Sequence, residues 1–191
     1  MKRHLLISLA LVALLAPGAA YAMPGRSPQP QKTYTVLLAG GEEANEIKVW
    51  LSPDGRQYVI DSVVQLEVGG SVCVHPGGNH FELVCDAPSI GGFEVNSGEG
   101  DDRVGVAKSV AVPVTMRGGA GDDFLVGGTA ADKLIGGAGD DRLVGWRGGD
   151  LLYGGPGDDM LFGGPGGDLL RGGPGRDRLA AGQGRDRVRQ F

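Results

Sequence analysis

Gly118-Gly119-Ala120-Gly121-Asp122-Asp123-Phe124-Leu125-Val126 opens a run of eight nine-residue units that continues without a gap to residue 189. The units begin at Gly118, Gly127, Gly136, Gly145, Gly154, Gly163, Gly172 and Ala181. Their sixth place is always acidic: Asp123, Asp132, Asp141, Asp150, Asp159, Asp168, Asp177 and Asp186. Their eighth place is always a branched aliphatic, from Leu125 through Leu134, Leu143, Leu152, Leu161, Leu170 and Leu179 to Val188. A period this short and strict predicts a solenoid.

Each aliphatic and its two neighbours form a short strand with the aliphatic inward. The glycines supply turns that need positive φ and leave backbone carbonyls open. Two units make one coil, and stacking coils brings aspartates within about 4.8 Å of one another. Two bare carboxylates at that distance repel by roughly 3 to 4 kcal/mol at an effective dielectric near 20. Cations between the turns remove that penalty, and carboxylate and carbonyl oxygens are the hard donors that suit calcium.

These units resemble the RTX, or haemolysin-type, calcium-binding repeat proteins, whose signature is G-G-x-G-x-D-x-U-x. The first unit and Gly154-Gly155-Pro156-Gly157-Asp158-Asp159-Met160-Leu161-Phe162 match every place, and the resemblance covers 72 of 191 residues. It implies an all-β, right-handed parallel β-roll with several Ca2+ ions held in the turns. The expected ligands are Asp102, Asp123, Asp132, Asp141, Asp150, Asp159, Asp168 and Asp177, with Asp122, Asp140 and Asp158 and the turns at Gly118, Gly136, Gly154 and Gly172.

With two units per coil, alternate units stack into two columns of turns. The column at Gly118, Gly136, Gly154 and Gly172 keeps the glycine pattern intact. The other carries Ala130, Trp146 and Ala181 where glycine is expected, so its sites at Asp132, Asp150, Asp168 and Asp186 are expected to be weak. Asp186 is the least favoured ligand, because Arg176, Arg178, Arg185, Arg187 and Arg189 crowd the last units. No capping segment is recognised after Arg189, so the last coil is expected to open first.

Towards the N-terminus, Ser97-Gly98-Glu99-Gly100-Asp101-Asp102-Arg103-Val104-Gly105 fits the unit in six places. It precedes Gly118 by 21 residues rather than the 18 of a regular coil. Residues 97–117 therefore read as an entry coil with an enlarged half-turn, which places Asp102 over Asp123. Gly40-Gly41-Glu42-Glu43-Ala44-Asn45-Glu46-Ile47-Lys48 is a decayed copy of the unit, a weak signal, with Asn45 in the acidic place and Ile47 in the aliphatic place.

Residues 33–96 read as a β-rich cap of short strands. Pro53-Asp54-Gly55 turns Ile47–Leu51 back into Gln57–Asp61, and Val63–Val68, Val72–Val74 and Phe81–Val84 continue the pattern. Cys73 and Cys85 form an even pair that an oxidising compartment would join in a disulfide. With His75 and His80 they also offer four potential zinc ligands, without the paired spacing usual for zinc.

Residues 1–22 have a basic start (Lys2, Arg3), an apolar run from Leu5 to Ala16, and Ala20-Tyr21-Ala22 as a cleavage site, which marks a secretory leader. The alternative is an uncleaved anchor, although the run is short for a membrane span. Residues 23–32 are a Pro-rich linker. Export implies a secreted product exposed to extracellular calcium, with no transmembrane segment after cleavage. The net charge of −5 becomes −7 when Lys2 and Arg3 are removed, which disfavours nucleic acid and anionic membrane as partners.

No nucleophile, base or metalloprotease motif stands out, so the chain is not expected to be an enzyme. Places seven and nine carry Phe124, Val126, Ile135, Val144, Leu151, Tyr153, Met160, Phe162 and Leu169 on outward positions. These leave room for a protein partner or for self-association through the roll surface.

Overall fold

The computed structural model describes residues 34–39, 44–62, 73–74, 82–87 and 90–191. The expected leader (1–22), the expected Pro-rich linker (23–32), the stretch Val63–Val68 and both loop histidines lie outside these residues.

Among the described residues there is no α-helix, and sixteen strands form two sheets. The first sheet stacks β1 (Tyr34–Ala39), β6 (Ile90–Glu99), β8 (Val114–Ala120), β10 (Lys133–Ala138), β12 (Leu151–Tyr153), β14 (Leu169–Arg171) and β16 (Arg187–Arg189), in that order. The second runs β15 (Arg178–Gln183), β13 (Met160–Pro165), β11 (Arg142–Val144), β9 (Phe124–Val126), β7 (Arg103–Val106) and β2 (Glu46–Leu51). It continues through β3 (Gln57–Ser62), β5 (Glu82–Asp86) and β4 (Cys73–Val74). Odd and even strands of the array fall in opposite sheets because each nine-residue unit supplies one strand and one turn. The result is a parallel β-solenoid, the β-roll predicted from the period.

Register fixes the columns. Leu125 pairs with Leu143, Leu143 with Leu161 and Leu161 with Leu179 in one sheet. Met116, Leu134, Leu152, Leu170 and Val188 line up in the other. The six leucines from Leu125 to Leu170 are all fully buried, whereas Val188 is 50% exposed. The alternation is the plain consequence of period two, with the aliphatic inward and its flanks outward. In the entry coil, Val104 lies beside Leu125 and Val95 beside Met116. The three additional residues fall within the segment between β7 and β8, where Val110 is buried and holds the Thr129 amide through its carbonyl.

The stack reaches above residue 97. β1 pairs in parallel with β6, and β2 with β7, which puts Ile47 beside Val104 at the head of the aliphatic column. The antiparallel hairpin β2–β3 turns at Gly55 (φ 71°) and is closed by the Ser52 amide on the Gln57 carbonyl. β5 and β4 follow it. These antiparallel strands cover the N-terminal edge of the second sheet, which would otherwise offer unpaired amides and carbonyls. Tyr58 of β3 meets Phe93 of β6 edge to face at 5.1 Å, tying the cap to the first coils.

Candidate metal centre

The acidic places of the array form three ladders. On the intact edge, the Asp102 amide donates to Asp123 Oδ1 at 2.9 Å, Asp123 to Asp141 at 2.9 Å, Asp141 to Asp159 at 3.0 Å and Asp159 to Asp177 at 3.1 Å. A second ladder, made by the fifth places, runs outside it in the opposite sense. The Asp122 amide donates to Asp101 Oδ1, Asp140 to Asp122, Asp158 to Asp140 and Arg176 to Asp158, each at 2.8 Å. Every joint between these coils is therefore straddled by two carboxylates, an inner one reaching up and an outer one reaching down.

The eroded edge has only an inner ladder, from the Val114 amide to Asp132, Asp132 to Asp150, Asp150 to Asp168 and Asp168 to Asp186, at 2.8–3.0 Å. Its fifth places are Ala131, Gly149, Gly167 and Arg185 and offer no acid.

The stacked carboxylates are thus not bare, since one oxygen of each accepts a backbone N–H from the coil before it. The other oxygen is a different matter. Oδ2 of Asp102, Asp123, Asp141, Asp150, Asp159 and Asp168 is buried and accepts no hydrogen bond. An unsatisfied buried acceptor costs about 1–3 kcal/mol, and more when it carries charge. Only Asp132 among the buried array acids escapes, because the Gly128 amide reaches its Oδ2 at 2.6 Å.

Burial accordingly pushes Asp123, Asp132, Asp150 and Asp159 up to about 6 and Asp141 to about 7, from the ordinary 3.8. Neighbouring aspartates add to the rise at Asp123, Asp141, Asp150 and Asp159, and hydrogen bonds to the backbone oppose it at all five. Asp168 is raised for the same leading reason.

Glycine makes room for these oxygens. A Cβ on Gly118, Gly136, Gly154 or Gly172 would overlap Oδ2 of the aspartate five residues on. At the second place, Gly119, Gly137, Gly155 and Gly173 hold φ of 126–134°, a region closed to most side chains. Their close neighbours are the carbonyl oxygens of Gly98, Gly119, Gly137 and Gly155 in the preceding turns. An orphaned carboxylate oxygen and a carbonyl oxygen share the space beside Gly118 (Asp123 Oδ2 and the Gly136 carbonyl) and beside Gly154 (Asp159 Oδ2 and the Gly172 carbonyl). That is a hard, all-oxygen donor set, and it fits calcium.

Of the residues singled out from sequence, the structure brings Asp102, Asp122, Asp123, Asp140, Asp141, Asp158, Asp159 and Asp177 together on one edge. Asp132, Asp150, Asp168 and Asp186 lie on the other. An open cleft of about 660 Å³ runs along the intact edge between Asp140, Asp158 and Asp177. Three residues were missed. Asp101 starts the outer ladder, Asn45 donates its amide to Asp102 Oδ1 at 2.6 Å, and Gln190 Nε2 donates to Asp177 Oδ2 at 2.7 Å. Asp101 was legible as the fifth place of the entry unit, and Asn45 as the acidic place of the decayed one.

A parallel solenoid whose turns stack carboxylates over carbonyls defines the class of calcium-binding β-rolls. The family model for the RTX calcium-binding nonapeptide repeat (four copies) matches residues 117–152 and again 153–188. Residues 117–188, 72 of the 191, therefore carry RTX calcium-binding nonapeptide repeats. No curated protein and no solved structure matches the chain.

Proposed function

We propose that this is an exported, non-enzymatic protein whose roll folds as calcium enters its turns. The observation that carries the reading is the row of buried, unpartnered Oδ2 atoms. A cation satisfies them, and its binding free energy then becomes folding free energy. The residues proposed to hold the ions are Asp102, Asp123, Asp141, Asp159 and Asp177 with the outer Asp122, Asp140 and Asp158 and the turn carbonyls. Asp132, Asp150 and Asp168 are proposed as weaker sites. Far-UV circular dichroism of the full chain during a calcium titration tests the reading. The β signal should grow with a midpoint in the roughly 0.1–1 mM range of extracellular modules, and magnesium should substitute poorly. Identical spectra and melting with and without calcium would sink it.

Export is supported by the leader-like residues 1–22, and an oxidising destination by the cysteines. The β4–β5 register sets Cys73 directly opposite Cys85, and directly opposed residues in an antiparallel pair lie within disulfide reach. We expect the bond, visible as an intact mass about 2 Da below the reduced formula. Two free thiols with bound zinc would instead establish the zinc alternative.

A second reading, a module that docks partners or copies of itself, is favoured by Phe124 and Leu151. They face outward on opposite sheets and are each 38% exposed. A calcium form that stays monomeric in sedimentation and binds no hydrophobic dye would exclude it.

A further inference from the structure

The two ends of the intact edge differ from its middle in presenting a side-chain carboxamide N–H to the stacked oxygens. At the upper end, Asn45 takes the acidic place and is buried, 2% exposed. Its backbone amide feeds Asp102 Oδ1 as every inner aspartate feeds the next. Its side chain goes further, with Nδ2 donating to the Ser97 carbonyl at 2.8 Å and to Asp102 Oδ1 at 3.0 Å.

Ser97 is the first place of the next coil's unit. At the inner rungs the same position relative to the acid is filled by Gly118, Gly136, Gly154 and Gly172. There, the space beside Gly118 is shared by Asp123 Oδ2 and the Gly136 carbonyl oxygen, and that beside Gly154 by Asp159 Oδ2 and the Gly172 carbonyl. So where an inner rung sets a bare carboxylate oxygen against a carbonyl, the Asn45 rung sets an N–H.

The lower end repeats the device from the other side. Gln190 falls in the first place, 18 residues after Gly172, and the Gly173 amide donates to its carbonyl in the regular stacking pattern. Its Nε2 reaches Asp177 Oδ2, the atom left orphaned at the four rungs above.

We propose that Asn45 and Gln190 are fixed substitutes for a bound cation, closing the calcium column at both ends. A carboxamide N–H offers the positive end of a dipole to the same oxygens, without an ion and at any calcium concentration. The joint between the Asn45 and Asp102 coils therefore forms in calcium-free protein, and only the joints from Asp102 to Asp177 wait for calcium. This gives the roll a preformed first coil, built on the cap and its buried Ile47, Val49, Ile60 and Phe93, from which ion-dependent stacking propagates.

The inference rests on the calcium reading above, and its test separates the two. Asn45→Asp replaces the donor with an oxygen facing two acceptors, which only a cation or a proton can reconcile. In the full chain at neutral pH it should lower the melting midpoint measured in EGTA and be rescued by calcium. The calcium-induced rise in midpoint should thus exceed that of the wild type. Gln190→Glu should do the same at the other end. Asn45→Ala removes the donor without adding a charge and should lower the midpoint equally with and without calcium. Calcium increments in N45D and Q190E equal to the wild-type increment would overturn the inference, and so would N45D that stays unfolded in saturating calcium. No calcium increment in the wild type would instead bring down the underlying calcium reading.

Discussion

The two edges of the roll are built on one hydrogen-bond plan and differ in what that plan leaves unsatisfied. On both, each inner aspartate accepts the backbone amide of the coil before it at 2.8–3.1 Å. The intact edge adds the outer ladder from Asp101 to Asp158 and leaves four successive Oδ2 atoms without a donor. The eroded edge has no outer acid, satisfies Asp132 with the Gly128 amide, and leaves two orphans, Asp150 and Asp168. The shared ladder is a matter of architecture, because it sets the register of the stack. The difference between the edges lies in how many carboxylate oxygens are left without a donor.

Removing one carboxylate from the middle of each edge is the most direct way to break this comparison. Asp141→Ala deletes the inner carboxylate at a joint where Asp122 already reaches across, whereas Asp150→Ala deletes one with no outer companion. The calcium midpoint for folding should move by about tenfold or more in the first, equivalent to about 1.4 kcal/mol, and by only a few-fold in the second. Equal shifts would mean that the eroded turns bind as well as the intact ones.

First-place glycines give the next contrast. A Cβ on Gly136 would overlap Asp141 Oδ2, Cγ and Cβ together, whereas one on Gly127 would overlap less deeply, at 2.6 Å from Asp132 Oδ2 and 2.9 Å from the Gly145 carbonyl oxygen. Gly136→Ala should therefore lower the melting midpoint of the calcium form more than Gly127→Ala. Gly105→Ala serves as the control, since a Cβ there meets nothing within 4 Å. A loss at Gly105 as large as at Gly136 would remove the steric argument.

Acidity should act on both edges, with opposite signs in the two ion states. In the ion-free fold Asp123, Asp132, Asp150 and Asp159 titrate at about 6 and Asp141 at about 7, all above the ordinary 3.8. A raised carboxylate favours the folded state while it is protonated. That stabilisation is complete below 3.8 and is lost as pH rises through 6 to 7. Without calcium, the array should thus show more β signal at mildly acidic pH than at neutral pH. Calcium, competing with those protons, should bind more tightly as pH rises over the same window. A calcium midpoint that does not change with pH between about 5 and 7.5 would contradict the assigned burial.

The strict nine-residue period made the stacking, the buried leucine column and the two edges readable from sequence. Asn45 was harder to place because 57 residues separate it from Asp102, and three strands are inserted between them, so the period breaks where the first coil is made. Gln190 was hidden for another reason, since it occupies a place where glycine is expected and acts through a side chain that glycine lacks. The backbone ladders were not legible either. A column of acids reads as repulsion until the amides that face each Oδ1 are located, and those depend on the depth of each turn rather than on its composition.

The smallest expected effect concerns Trp146, the one non-glycine residue with positive φ among the described residues, at 76°. It occupies a second place, where the intact edge always has glycine, and the strain of such a backbone is about 1–2 kcal/mol. Lys108, from the enlarged half-coil above, places its Nζ 3.6 Å from the centre of the indole ring. An exposed contact of that kind returns about 0.5–1 kcal/mol. The eroded edge therefore offsets part of its strain with a contact that the extra residues of the entry coil make available. Trp146→Gly in the wild type relieves the strain but loses the contact, and should change the melting midpoint very little. In a Lys108→Ala background the contact is already gone, so the same substitution should raise the midpoint. Lys108→Ala alone should lower it slightly. If Trp146→Gly lowers the midpoint equally in both backgrounds, the indole acts by packing rather than through the lysine, and the proposed compensation between strain and cation–π contact is wrong.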